Sequence, residues 1–450
     1  MPSESTQLLD TARQGIDQWC HTPVRNGNQI QLLASGVASY EQRWKLIQQA
    51  KHSIHIVAFS MMLDQTSIKL RDMLLEKLKQ GVEVKLIFDD AVMWSTFSGG
   101  IVRDLRRAGA EVIRYHKLFR HLLPHWEKGH PFRQSVQIFK HKLKRRFHEK
   151  YLIVDGEIAI LGGINWGNKY AFGGLKPKAW RDSDTLITGP VVSDIQRQFH
   201  RDFDRYLDMD RYLAIDLGHA LPDAGIEHEI PELTATGKDQ VRYVAHKPYD
   251  DNELVMTNAY LALIQKAERY IYWGCHGTRP PNVIAGALTD AAQRGVDVRL
   301  YTNSRHASQT LMLFGLMGWM YRESQRHFRG LLQGGVRVFE WQKPGAFHSK
   351  NMVIDDVFAA VGSYNIARGS TFHHTESNVF VTGGEFPLAV RKQFEIDEQD
   401  CAELTLKSVP APGASTDPYQ RPLNPRNQMV AKSLLPTMMQ GQDKNDREVA

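Results

Sequence analysis

From Ala50 the chain reads "AKHSIHIVAFSMM", the end of a helix followed by an apolar run of strand length. "LRDMLLEKLKQGVEVKLIFDD" comes next: apolar positions at helical spacing, a stop at Gly81, then a β-branched strand. The same order returns two hundred residues on. "AERYIYWGCHG" predicts the strand, and "IAGALTDAAQRGVDVRLYTNS" predicts the helix, its stop at Gly295, and the next strand. A further helix–glycine–strand unit closes each series, "VRDLRRAGAEVIRYH" around Gly109 and "FRGLLQGGVRVFEW" around Gly335. Strands alternating with helices predict an α/β protein, with mostly parallel sheets flanked by helices in two similar halves.

Each half then ends in the same polar punctuation. "FHEKYLIVDGEIAILGGIN" from Phe147 and "FHSKNMVIDDVFAAVGSYN" from Phe347 share His-x-Lys, an Asp five residues after the Lys, and a later Asn. The apolar runs predict a β-hairpin in each copy, turning at Asp155-Gly156 and Asp355-Asp356. Residues two apart share a strand face, so His148 points with Lys150 and His348 with Lys350. The returning strand is expected to bring Asn165 beside His148. An imidazole, an ammonium and a carboxamide converging on one point suit a tetrahedral phosphate: Lys and Asn hold the oxygens, and His acts as nucleophile or acid. Neither copy has a second His or Cys at metal-ligand spacing, so no metal and no other cofactor is expected.

Composition adds limits. The 450 residues carry a net charge of +6, a mild excess that fits an anionic partner without choosing one. The three cysteines are far apart and make neither a disulfide framework nor a metal spacing. No signal peptide and no run of spanning length is evident, so the expectation is a cytoplasmic protein. Residues 1–230 read as the first half and 231–402 as the second, with a Pro-rich, flexible tail at 403–450. Gly109 lies 39 positions before His148, but Gly335 only 13 before His348, so the first half carries a basic, aromatic insertion at about 116–147. The second half carries an apolar one at about 309–322.

The two motifs resemble the signature of the phospholipase D superfamily. "GGINWGNKY" and "WRDSDTLITGPVVSDIQRQFHRDFDRY" are similar to its bacterial cardiolipin synthase branch, and the likeness runs over roughly residues 45–400. It implies two pseudo-symmetric α/β/α halves that share one active site. It also implies a phosphatidyltransferase working through a covalent phosphatidyl-histidine, with His148 as nucleophile and His348 as general acid and base. Lys150, Lys350, Asn165 and Asn365 match the phosphate-binding positions, and Asp155 and Asp355 the motif aspartates. Asp182 and Glu376 match the carboxylates placed behind the histidines, with Asp184 competing for the first. "IARGSTFHHTES" departs from the likeness by its histidines.

A phospholipid substrate, such as phosphatidylglycerol, and an alcohol or second lipid as acceptor would bring the protein to a membrane, peripherally on the inner face. The insertions supply the expected contacts: Trp126, Phe139, Lys142, Lys144 and Arg145 in one, Phe314 and Trp319 in the other. The alternatives are a hydrolase releasing phosphatidic acid and a nuclease. The apolar insertion has no evident use in the latter, so nucleic acid is not the expected partner.

Overall fold

A computed structural model describes residues 4–89, 100–115, 143–207, 225–249, 253–308 and 316–409. The first half supplies β1 (Arg25–Leu33), β2 (Ser53–Ala58), β3 (Glu83–Asp89), β4 (Glu111–Tyr115), β5 (Tyr151–Val154), β6 (Ile158–Gly162) and β7 (Asp184–Thr188). The second supplies β8 (Asp239–His246), β9 (Tyr270–Gly274), β10 (Asp297–Asn303), β11 (Arg337–Trp341), β12 (Met352–Ile354), β13 (Phe358–Gly362), β14 (Glu376–Thr382) and β15 (Cys401–Glu403). All join one sheet, ordered β15-β11-β10-β9-β12-β13-β14-β8-β1-β7-β6-β5-β2-β3-β4. Read outward from the β8–β1 seam, the two sides repeat one strand order, and β15 extends the second.

The sheet is mixed. Parallel pairing is confined to β2-β3-β4 and β9-β10-β11, the strands joined through helices. The short hairpins β5–β6 and β12–β13 can only be antiparallel, and so are the central strands and the seam. The expectation of mostly parallel sheets therefore holds only for the helix-linked strands. Local chemistry sets the element ends. Ser35 Oγ caps helix Gly36–Gln49 by accepting the Ala38 N–H at 3.2 Å, and Asp64 caps helix Gln65–Lys79 through Ser67. Gly81 stops the latter at φ 83°.

Helices cover both faces. Val191–Leu207 and Phe386–Glu398 pack on one face over a core that runs through both halves, including Ile153, Phe199, Val353 and Phe394. On the other face each half has its own core. Helix Glu4–Asp17 crosses over: Leu8, Ala12 and Ile16 lie in the second half's core beside helix Val255–Lys266. No helix among the described residues is long and apolar enough to cross a membrane. Trp126, Phe139, Lys142, Phe314 and the tail from residue 410 lie outside the described residues. Trp319 lies in helix Leu316–Gln333, its side chain not among those described.

Both motif aspartates sit at the hairpin turns with φ of 55° and 53°. Asp155 accepts the backbone N–H groups of Lys51, His52 and Ser53; buried Asp355 accepts those of Glu268, Arg269 and Tyr270 at 2.7–2.9 Å. Each carboxylate thus ties its hairpin to the entry of the neighbouring strand. Asp355→Ala is expected to cost about 2–3 kcal/mol of stability, the worth of hydrogen bonds to a buried charge. Urea denaturation measures it; a loss below about 0.5 kcal/mol would contradict this role.

Candidate active site

The segments before β5 and β12 carry the His-x-Lys residues to the seam between the halves. There each motif is laced to the other half. The His148 N–H donates to the Thr375 carbonyl at 3.0 Å, and the Thr375 N–H to Arg146 at 2.9 Å. Symmetrically, the His348 N–H donates to Arg181 at 2.7 Å, and the Arg181 N–H to Ala346 at 2.8 Å. These bridges lead straight into the carboxylates. His148 Nδ1 lies 2.9 Å from Glu376 Oε2, and His348 Nδ1 lies 2.5 Å from Asp182 Oδ2. Each imidazole is therefore paired with a carboxylate of the opposite half. The resemblance points to both acids but not to the exchange, since residue spacing carries no information about which half a side chain crosses into.

Both acids are held from behind. Ser363 Oγ donates to Glu376 at 2.5 Å, and the Ser183 N–H donates to Asp182 at 2.9 Å. Gly163 makes room for the latter: a Cβ there would lie 2.3 Å from Asp182 Oδ1. Asp184 faces elsewhere, accepting from Arg43, Ser39 Oγ and the Ile164 N–H. That leaves Asp182 as the partner of His348.

Lys150 and Lys350 donate to the carbonyls of their own histidines, and Lys350 Nζ lies 2.8 Å from His348 Nδ1. Burial pushes both imidazoles well below their usual pKa, and the ammonium groups of both lysines add to it. The four motif side chains thus share one electrostatic neighbourhood. Burial pushes Lys150 down to about 7 and Lys350 in the same direction, against the pull of Glu376 and Asp182. It pushes Asp182 up to about 7 and raises Glu376. Neutral imidazoles with Nδ1 turned to a carboxylate leave Nε2 with its lone pair outward.

The other expected residues are placed unevenly. Asn165 is buried, but its carboxamide binds the Ser60 N–H and the Tyr170 hydroxyl rather than His148. Asn365 is half-buried beside Cys275. Asp155 and Asp355 lie at the far ends of the hairpins, away from the imidazoles. Lys144 is exposed, but Arg145 is not: only 4% of it is accessible, and its guanidinium lies 3.5 Å over the Tyr249 ring. The expected membrane contact at Arg145 is thereby corrected, because the basic stretch has already turned into the core by that residue. Glu149, between His148 and Lys150, points to the opposite face and pairs with Lys247 at 2.6 Å, which also meets Asp202 at 2.9 Å.

Sequence reasoning missed the ring wall. Phe59 and His374 lie 4.7 and 5.6 Å from the His148 ring. His276, Trp180 and Tyr170 lie 4.8, 5.1 and 5.5 Å from that of His348. Only the departure "FHHTES" hinted at one of them. His148, His374 and Glu376 also gather three metal-type ligand atoms within 4.8 Å of one another, which sequence spacing could not reveal because two halves supply them. That limit is looser than the edge of a tetrahedron on bonds of about 2.1 Å, and Glu376 is already engaged by Ser363 and His148.

A fold of two fused α/β halves with a doubled His-Lys site defines a phospholipase D-type protein. The family model described as "Cardiolipin synthase, PLD-like domain" matches residues 44–207 and 260–397, and the chain belongs to that family. It is 28% identical over 359 residues to a cardiolipin synthase of Geobacillus kaustophilus, a match covering 80% of this chain and 64% of that protein. It is 26% identical to a probable cardiolipin synthase of Bacillus subtilis, covering 86% and 69%. The chain thus spans less than two thirds of the first relative's length. The crystal structure of Haemophilus influenzae phosphatidylserine synthase shares the fold, with a TM-score of 0.68 at 15% identity over 96% of this chain and 98% of that one.

The buried lysines set a pH dependence for oxyanion binding. As pH rises through about 7, Lys150 loses its proton and Asp182 gains a charge, and both changes remove positive charge from the site. Tungstate affinity, measured by calorimetry, is expected to fall at least about tenfold between about pH 6 and about pH 9. A Lys150→Met variant should bind weakly with a flatter profile. Equal wild-type affinity at both ends of that range would contradict the assignment.

Proposed function

We propose that the chain transfers a phosphatidyl group from a phospholipid to an alcohol through a phosphatidyl-histidine on His148. The observation that carries this reading is the crossed arrangement: two imidazoles, each aligned by a carboxylate from the other half, each with a buried lysine beside it. In the first step His148 Nε2 attacks phosphorus, forming the P–N bond as the P–O bond to the leaving alcohol breaks. His348, which takes up a proton on Nε2 as the anionic diester binds, gives that proton to the leaving oxygen. In the second step an incoming hydroxyl gives its proton to His348, and its oxygen displaces His148. Lys150, Lys350, Asn165 and Asn365 hold the non-bridging oxygens, where extra charge is best stabilised by fixed donors.

The relatives' names support a phospholipid as donor and favour transfer over hydrolysis. Phosphatidylglycerol is the proposed donor, with an alcohol or second phospholipid as acceptor. A donor embedded in a bilayer calls for peripheral action at the inner face of the membrane. Exposed Leu143 and Lys144, at the end of the basic stretch, support an approach from that side.

The test is incubation with labelled phosphatidylglycerol, alone and with phosphatidylethanolamine, followed by product analysis. A transferred product is expected, reduced at least about a thousandfold in His148→Ala. In His348→Ala, a labelled phosphohistidine should accumulate that His148→Ala never forms. Phosphatidic acid as the only product would make the protein a hydrolase, and cleavage of DNA without action on lipid would sink the reading.

A further inference from the structure

The pseudo-symmetry is broken beside the imidazoles. Asp155 Oδ1 accepts the Ser53 N–H and Asp355 Oδ1 that of Tyr270, so these two residues correspond. Six positions on, Phe59 and His276 correspond. Each ring stands over the histidine of its own half, at 4.7 and 4.8 Å, but one is apolar and the other is not. From the opposite half, His374 joins Phe59 and Trp180 joins His276.

The tautomer of His276 follows from its neighbour. Asn303 accepts the Phe347 N–H on Oδ1, which places its NH2 on the other side. Both amide hydrogens are committed, to the carbonyls of His276 and Phe347 at 2.6 Å each. The His276 Nδ1 lies 3.1 Å from Asn303 Nδ2, whose hydrogens go to the two nearer carbonyls, and 3.2 Å from the Phe347 carbonyl, so it is the N–H that donates to that carbonyl. Nε2 keeps a bare lone pair and has no partner among the described residues. The ring is half-buried and stacks on Trp180 with an interplanar angle of 22°, which fixes its plane. Burial, with Lys350 adding, pushes its pKa down to about 3, so the lone pair persists across the working range. His374 differs: its unpaired Nδ1 is buried, 3.9 Å from Glu376, and faces the carboxylate.

We propose that His276 Nε2 accepts a hydrogen bond from a second hydroxyl of the incoming alcohol, so that the site selects polyol acceptors over simple alcohols. This rests on the transferase reading. In the second step the attacking hydroxyl forms its O–P bond as the P–Nε2 bond of His148 breaks, and its proton passes to His348. The neighbouring hydroxyl keeps its proton and donates it to His276. A simple alcohol leaves that lone pair unmatched in a half-buried site and loses the contact.

The test is an internal competition. Phosphatidylglycerol vesicles are offered equal amounts of 1,2-propanediol and 1-propanol in one reaction, and the ratio of the two phosphatidyl adducts is read. A ratio needs only trace activity, so partial misfolding of a variant does not obscure it. The wild type should favour the diol. His276→Phe, which installs the residue of the other half, should lower the preference about tenfold, the worth of one such hydrogen bond. His276→Gln keeps an acceptor and should retain most of it, and His374→Phe should leave the ratio as in wild type. An unchanged ratio in His276→Phe overturns the proposal while the transferase reading stands. A wild type that forms no adduct with either alcohol overturns the proposal, and one that also forms no lipid-to-lipid product overturns the transferase reading with it.

Discussion

The structure depends on an exchange of partners across one seam. Each imidazole takes its carboxylate from the opposite half, so neither half holds a finished site. Such pairs must be placed to within a few tenths of an ångström, and they are buried, where an unmatched charge is costly. The fold meets this with several ties. The β1–β8 pairing fuses the halves, and backbone bridges lace Arg146 to Thr375 and Arg181 to Ala346. Arg181 also grips Asp397 with two bonds of 2.7 Å, and Glu149 reaches Lys247 behind the motif. The residues around the histidines are therefore as much interface as active site.

The same burial sets the state of the empty site. Out of water, Lys150 and Asp182 drift toward neutrality from opposite directions, and the imidazoles stay uncharged. An arriving phosphodiester brings the negative charge that makes protonated lysines favourable again. Binding and protonation are then one event, which leaves the lone pair on His148 free and lets His348 carry a proton. The proposed division of labour follows the same logic. Phe59 offers no hydrogen bond to the outward nitrogen of His148, whereas His276 beside His348 suits a group that handles hydroxyls.

Much of this was legible in the chain. The repeat, the glycine stops and both hairpins follow from periodicity and turn residues, because these are local properties. The two His-x-Lys pairs were visible as residues, and the resemblance named their family and pointed to the acids at 182 and 376. What stayed hidden was relational. Strands β1 and β8 escaped notice because half-buried central strands such as "RNGNQIQLL" mix polar and apolar positions irregularly. The predominance of antiparallel pairing was missed because helix-linked strands dominate the visible pattern. Asn165 was expected beside His148, but strand alternation cannot foresee that Ser60 and Tyr170 compete for its amide. Arg145 looked like surface because its neighbours are charged, while its own side chain had already found Tyr249.

Helix Glu4–Asp17 has a consequence for the protein's birth on the ribosome. Made before any strand of the sheet, it belongs to the core of the second half, where Leu8, Ala12 and Ile16 meet helix Val255–Lys266. Glu376, the acid for His148, is made later still. A growing or prematurely terminated chain thus carries His148 without its acid and helix Glu4–Asp17 without a surface to cover. Folding itself tests for the second half: only a chain made through Glu376 can join the two halves, seat helix Glu4–Asp17 and align His148.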